Sequence, residues 1–465
     1  MTRIYIAEVV SKTKSEVEVF GWVNSRRDHG KIIFFDLRDS TGLLQVVVTP
    51  KEGAVYEVAS KLTSEDVIRV KGLLDKRPET NYNEDLQTGK VELRASEIDL
   101  IGKAKELPLP IDGEGYEIDE AIRLRYRYLD LRRQRLQKNL KLRHNVSVIV
   151  REFFNRNNFI EVETPYLSKT TPEGARDFLV PSRLQKGKFY ALAQSPQQYK
   201  QLLMIAGIDR YYQFSRAFRD EDLRSDRQFE HTQIDIELAF VNREEILDLV
   251  ENLMLEIASK LGKKVTERQF PRITFAQAIK KYGADKFDFR KNKNDINELA
   301  FAFVVDFPLL EFDEETKSWT FSHNPFTAPK PEDVDNLMKE KDLDKIASLQ
   351  YDLVCNGFEL ASGSIRIHEP KVQRQVFRLM GYSSEQIERD FGHILEAYEF
   401  GAPQHGGIAI GFDRLVSVLA GEKSIREVIA FPLNSSGQTS VMDAPTSVSN
   451  EILKDLGISL KNNKS

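Results

Sequence analysis

Two arginines set the chemistry this sequence can support. Arg219 follows the segment YYQFSRAF (211–218) and opens Arg219-Asp220-Glu221, ahead of a polar loop holding Arg224, Arg227 and Gln228. Arg414 closes Gly406-Gly407-Ile408-Ala409-Ile410-Gly411-Phe412-Asp413. A guanidinium grips carboxylate or phosphate through a planar fork and stays charged at working pH. A glycine-rich strand ending in such a cation lets a flat ring lie close to the backbone while its phosphates reach the charge. Between the two, Gln233, Asp235 and Glu237 alternate onto one strand face. Together these residues suit a nucleoside triphosphate. Taken singly, surface ion pairs and a buried glycine strand explain them equally well.

The common alternatives are missing. There is no GxxxxGKS or GxxxxGKT loop, no GxGxxG, no HExxH and no CxxC. Cys355 stands alone, which excludes an internal disulfide and a cysteine zinc site. At 465 residues, 41% hydrophobic and 30% charged, the chain suits about two to four packed domains. No apolar run nears the ~18 residues of a membrane span, and the N-terminal MTRIYIAEVVSKTKSEVEV carries charge throughout. The expectation is a cytoplasmic protein with no membrane partner. A net charge of −5 does not exclude nucleic acid, which needs only a local basic stripe. Residues 123–156, with eleven Lys/Arg against two acids, offer either a solvated basic face or contact with an anionic partner.

The elements that must position these residues fall into an α+β pattern. Strands are expected at 17–24, 31–38, 43–49, 67–74 and 90–99, with Val55, Val58 and Leu62 at helical spacing after the third. That order fits an OB-fold β-barrel, with another small barrel or sandwich as the alternative. Prolines and glycines mark a connector from 104. Most of 123–156 should be helix, and Phe-Ile-Glu-Val-Glu-Thr-Pro (159–165) reads as a short strand closed by Pro165. Strands beyond it cluster in antiparallel-looking runs rather than alternating with helices.

In order, a helix, strand and Pro165, then Phe218-Arg219-Asp220-Glu221, then Gly411-Phe412-Asp413-Arg414 match the three motifs of class II aminoacyl-tRNA synthetases. TPEGARDF, QSPQQYKQLLM, FRDEDLRSDRQ, TQIDIE, HNPFTAP, GSIRIH and REVIAFP extend the match, so nearly the whole chain resembles the bacterial aspartyl-tRNA synthetases. The resemblance implies an OB-fold anticodon domain (1–103), a hinge (104–122) and a catalytic domain (123–465) with a six-stranded antiparallel sheet flanked by helices. It also implies a homodimer through the first motif. ATP and Mg²⁺ would serve the reaction, with tRNA-Asp as partner and tRNA-Asn left open. Aspartate would attack the ATP α-phosphate, and the tRNA 3′-hydroxyl would then take the aspartyl group.

Residue roles follow from the same resemblance. Arg219 would bridge the α-phosphate and the substrate α-carboxylate, and Arg414 would stack on adenine and hold the γ-phosphate. Asp220, Glu221, Gln228, His231, Gly411, Phe412 and Asp413 would lie near ATP, with Arg219, Glu221 and Arg414 catalytic. Asp352 and Glu359 would bind Mg²⁺, as hard cations prefer carboxylate oxygen. Glu173, Ser195 and Gln197 would hold the substrate ammonium. Lys200 and Arg366 would grip its side-chain carboxylate, with Asp235 fixing Lys200 and His323 closing over the site. On this reading Arg219 and Arg366 face one pocket. In the barrel, Phe34 would stack on an anticodon base while Arg27, Gln45 and Glu92 read base edges.

Four features depart from the family pattern or divide it. ITFAQAIKKYGADKFDFR runs almost directly into FVVDFPLLEF, so the usual bacterial insertion is expected to be absent near 290–302. His231 stands where an aromatic Phe is common. His323-Asn324 replaces a histidine pair. His29 resembles members that also charge tRNA-Asn, whereas Asn81 resembles strict ones. An asparagine-specific relative is disfavoured by Lys200 and Arg366, and a non-catalytic paralogue by the presence of Arg219, Glu359 and Arg414.

Overall fold

The computed structural model describes residues 3–171, 174–314 and 317–460. They divide into two compact units, Met1–Pro110 and Ile111–Ser465, and the division falls inside the expected connector.

The first unit contains β1 (Glu16–His29), β2 (Ile32–Arg38), β3 (Leu43–Val48), α1 (Ala54–Ser60), β4 (Val67–Lys76) and β5 (Val91–Gly102). The strands close in the order β1-β2-β3-β5-β4. Period-two patterning drives closure. Val17, Val19 and Val23, then Ile33, Phe35 and Leu37, then Leu44, Val46 and Val48 all point inward and are buried. Val55, Tyr56 and Val58 of α1 pack on this core. At Gly72, β4 and β5 approach so closely that a Cβ would overlap the Arg94 carbonyl, and the register shifts at the same point.

In the second unit the basic run 123–156 is not one helix. Short helices Glu120–Arg125 and Arg127–Asp130 precede α2 (Gln134–Arg156). The charges turn inward. Arg123, Arg127 and Arg133 meet Asp130 at 3.1, 2.9 and 2.6 Å. Arg135 bonds Glu422 and Glu427 at 2.7 and 2.8 Å. These four arginines serve the fold rather than solvent or a partner, because burying a guanidinium is tolerable only when its charge and donors are matched.

One sheet carries β6 (Ile160–Glu161), β7 (Arg210–Phe218), β8 (Glu230–Ala239), β9 (Arg272–Thr274), β10 (Phe301–Val305), β11 (Gln350–Cys355), β12 (Phe358–Ile365) and β13 (His405–Gly411). Its order is β9-β10-β11-β12-β13-β8-β7-β6. The six central strands are antiparallel, as the resemblance implies, and the two edge strands run parallel to their neighbours. Helices α3 (Gln197–Ile205), α4 (Arg243–Lys260), α5 (Ser384–Glu399) and α6 (Phe412–Ala420) flank it. Ile234, Ile236, Ile408 and Ile410 face a core completed by Val150 and Phe153 of α2, Val250 and Leu253 of α4, and Leu415 of α6. The opposite face is polar: His231, Gln233, Asp235 and Glu237 on β8 run beside Gly407, Ala409 and Gly411 on β13. The strand alternation therefore builds one greasy face and one working face from the same residues.

Candidate active site

At one end of the polar face lies a cavity of about 220 Å³ bordered by Arg219, Glu221, Gln228, His231, Glu359, Gly411, Asp413 and Arg414. Arg219 leaves the end of β7, where its backbone N–H donates to the Phe229 carbonyl at 2.7 Å and its Nε to the Gln194 carbonyl at 3.3 Å. Arg414, in the first turn of α6, bonds Asp226 Oδ2 at 3.1 Å and donates to the Glu359 carbonyl. Its buried Nε has no partner among the described residues. An orphaned guanidinium donor at a cavity wall is a ready contact for an anion. Asp413 pins α6 to the sheet by accepting the Thr232 N–H at 2.8 Å and Arg143 Nη1 at 2.5 Å. Burial, with Arg219, Arg414 and Arg216 nearby, pushes the His231 imidazole down to about 3, so it meets the cavity as a neutral ring. Two expected nucleotide contacts are not brought here. Phe412 is buried against Phe214 under the sheet, and Asp220 pairs with the Arg176 backbone outside the cavity wall.

The two expected metal-binding carboxylates do converge. Asp352 lies opposite Ser362 across β11 and β12. Leu353 pairs with Ala361 but Val354 with Glu359, so Leu360 is an extra residue, and this bulge turns Glu359 onto the working face. Burial and then the Glu359 charge push the Asp352 carboxyl well above the usual range. Burial would raise Glu359 too, but Lys286, 2.7 Å from its Oε2, holds it below its ordinary value. His323 stands 3.8 Å from Asp352 Oδ2 and edge-on to Phe307; it attends this carboxylate pair rather than Lys200 and Arg366. Among the described residues no three His, Cys, Asp or Glu side chains form a metal cluster. Two facing carboxylates nonetheless fit Mg²⁺, which takes few protein ligands and keeps water and phosphate oxygens.

The expected amino-acid end lies further along the same strands. Lys200, from α3, sits 3.1 Å from Asp235 Oδ1 and 3.4 Å from Glu237 Oε2. Arg366 donates to both Glu237 oxygens at 2.9 and 3.1 Å and to Ser364 Oγ at 2.7 Å. Asp235 is held in turn by the Ser215 hydroxyl. All four charged side chains are buried. Burial would raise Glu237, but Arg366 and Lys200 bring it below its ordinary value. The expectation that Arg219 and Arg366 face one cavity is not met: Arg366 borders a separate space of about 210 Å³ with His368 and Gln404. The reason is electrostatic. Two buried cations need counter-charges, and Asp235 and Glu237 supply them, with Glu237 holding the Arg366 guanidinium. Arg366 still commits only three of its five N–H donors to described partners, so a carboxylate can be added without breaking the cluster.

Ser195 Oγ accepts the Gln197 N–H at 2.9 Å at the start of α3, one turn before Lys200. Glu173 lies outside the described residues. Glu237, Ser364 and Lys286 carry site geometry that the sequence reading left without a role. The alternation of 233–237 was the available signal for Glu237; Lys286 lies outside every motif.

The barrel presents a second candidate surface. Phe35 is in the core, whereas Phe34 faces outward, paired with Arg27 on β1 and Val47 on β3. Gln45 Nε2 donates to Glu92 Oε2 at 3.0 Å, and Arg27 bonds Asp36 at 3.0 Å. Arg77, which the sequence reading missed, is buried beside them. Its Nε donates to the Val91 carbonyl at 2.9 Å, and its Nη2 has no partner among the described residues. His29 and Asn81 are exposed at the end of β1 and in the β4–β5 connection.

Residues 119–435 match the family model of class II tRNA synthetases for D, K and N, and residues 17–101 match the OB-fold nucleic-acid-binding domain. The chain belongs to the class II aminoacyl-tRNA synthetases. An aspartate–tRNA(Asp/Asn) ligase of Dehalococcoides mccartyi is 40% identical over 585 aligned positions, covering 97% of both chains. An aspartate–tRNA ligase of Staphylococcus carnosus is 37% identical over 571 positions, covering 96% of this chain and 97% of that one. Among solved structures, the asparaginyl-tRNA synthetase of Pyrococcus horikoshii shares the fold at a TM-score of 0.75 and 21% identity, over 93% of this chain and 98% of that one. The likeness to that structure extends over nearly all of the fold.

Proposed function

We propose that this synthetase joins L-aspartate to the 3′ end of tRNA-Asp through an aspartyl-adenylate. The observation that carries the reading is the pair Lys200 and Arg366, buried against Asp235 and Glu237 of the strand whose Gln233 lines the nucleotide cavity. A side-chain carboxylate satisfies their remaining donors, and the neutral amide of asparagine does not. Aspartate's α-carboxylate oxygen attacks the α-phosphorus of ATP and pyrophosphate leaves; the tRNA 3′-hydroxyl then displaces AMP. Arg219 neutralises the two anions that must meet in the first step, and Arg414 holds the nucleotide. Asp352 and Glu359 would hold Mg²⁺, which supplies charge neutralisation on the phosphates when bound.

For charging of tRNA-Asn as well, His29 speaks in favour and Asn81 against. A second copy would cover Val148, Ile160 and Leu167, which are exposed around the first motif. The alignments to the two relatives run 585 and 571 positions, 120 and 106 more than this chain's 465 residues, which supports a missing insertion near 290–302. The site assigned here draws on nothing in that segment, so activity should persist without it. No described helix is long and apolar enough to cross a membrane; the work itself, on tRNA and ATP, belongs to the cytoplasm. Charging purified tRNA-Asp and tRNA-Asn with labelled aspartate tests the reading. Acceptance by tRNA-Asp supports it, acceptance by tRNA-Asn extends it, and acceptance by neither overturns it.

A further inference from the structure

We propose that a buried hydrogen-bond relay running from the Pro403 carbonyl through His405 and Gln201 to Gln197 orients the end of the pocket that receives the substrate ammonium, making Gln201 a positioning residue for aspartate. The inference rests on Gln197 contacting that ammonium. His405 and Gln201 are fully buried and Gln197 nearly so. Each link has one chemically consistent direction. A carbonyl only accepts, so His405 Nδ1, 2.8 Å from Pro403 O, carries the ring proton. Nε2 is then an acceptor, and Gln201 Nε2, 3.0 Å away, must donate to it. The same nitrogen donates to the Tyr398 hydroxyl at 3.0 Å.

These bonds fix the Gln201 amide with its oxygen turned toward the preceding turn of α3. There Oε1 accepts from Gln197 Nε2 at 3.0 Å. The Gln197 nitrogen is thereby engaged, and its carbonyl oxygen is the end presented to a cation. Reversing Gln201 would set two donors against each other at one contact and two acceptors at the other. A neutral His405 is what the relay needs, and burial holds this imidazole below its ordinary value. Fully matched buried networks of this kind specify one orientation because the mismatched one leaves polar atoms unpaired.

The test measures KM for aspartate and for ATP separately by pyrophosphate exchange on the full-length enzyme. Gln201→Met should raise the aspartate KM about tenfold, the scale of one hydrogen bond to a charge, and leave the ATP KM unchanged. Gln201→Glu should raise the aspartate KM as well, since a carboxylate has no N–H to donate to His405 Nε2. Gln197→Met combined with Gln201→Met should be no worse than Gln197→Met alone, because Gln201 acts through Gln197. His405→Phe removes the acceptor for Gln201 and repeats the test from the far end should Gln201→Met fail to fold. Additive losses, or an unchanged aspartate KM in Gln201→Met beside a raised one in Gln197→Met, overturn the relay alone. An unchanged aspartate KM in Gln197→Met overturns the ammonium assignment on which it stands.

Discussion

Arg366 and Lys200 do two jobs with the same charges. In the fold they neutralise Asp235 and Glu237; on the proposed function their spare donors recognise a carboxylate. Arg366→Leu should therefore lower aspartate-dependent pyrophosphate exchange by on the order of 100-fold, about 3 kcal/mol, and leave ATP affinity within about twofold. Exchange near the wild-type rate would remove Arg366 from recognition. His231 yields a pH prediction. Its imidazole folds with a pKa of about 3 against an ordinary 6.5. Between those values the unfolded chain binds the extra proton, so stability is lost as pH falls through the window. His231→Phe removes that linkage and should lose less melting temperature than the wild type between pH 7 and pH 4; parallel losses would show that His231 is protonated in the folded state.

Element by element, what could be read from sequence was what local pattern dictates. Alternation over 31–38 separated Phe35, in the core, from Phe34, on the surface, and the glycines of 406–411 marked the strand that floors the cavity. The basic run 123–156 misled because sequence shows charge but not its partners: Arg123, Arg127 and Arg133 are matched by Asp130, Glu427 and loop carbonyls, some of them some 300 residues away. Glu359 could be placed only through the resemblance, since its orientation depends on the bulge at Leu360. The position of Arg366 was wrong for the same class of reason, a counter-ion from another strand. At this scale the barrel face predicts a separable function. Phe34→Ala should weaken tRNA binding by about 5- to 100-fold, the worth of one stacked base, while adenylate formation is unaffected. Gel-shift and exchange assays on the same preparation check it; equal loss of both would place Phe34 in the fold rather than at the RNA.

Across the whole molecule, one unit has a closed core of its own and the other a sheet whose faces are divided between packing and chemistry. On the proposed function this division lets nucleotide, amino-acid and tRNA contacts be altered one at a time. Everything turns on a doubly anionic amino acid being the guest that completes the Lys200–Arg366 cluster. The most direct measurement is ATP–pyrophosphate exchange by the intact enzyme with aspartate or asparagine as the sole amino acid. Exchange with aspartate at least about 100-fold above that with asparagine, the cost of leaving buried charges poorly matched, is the predicted result. Equal exchange with both, or exchange with asparagine alone, would contradict it.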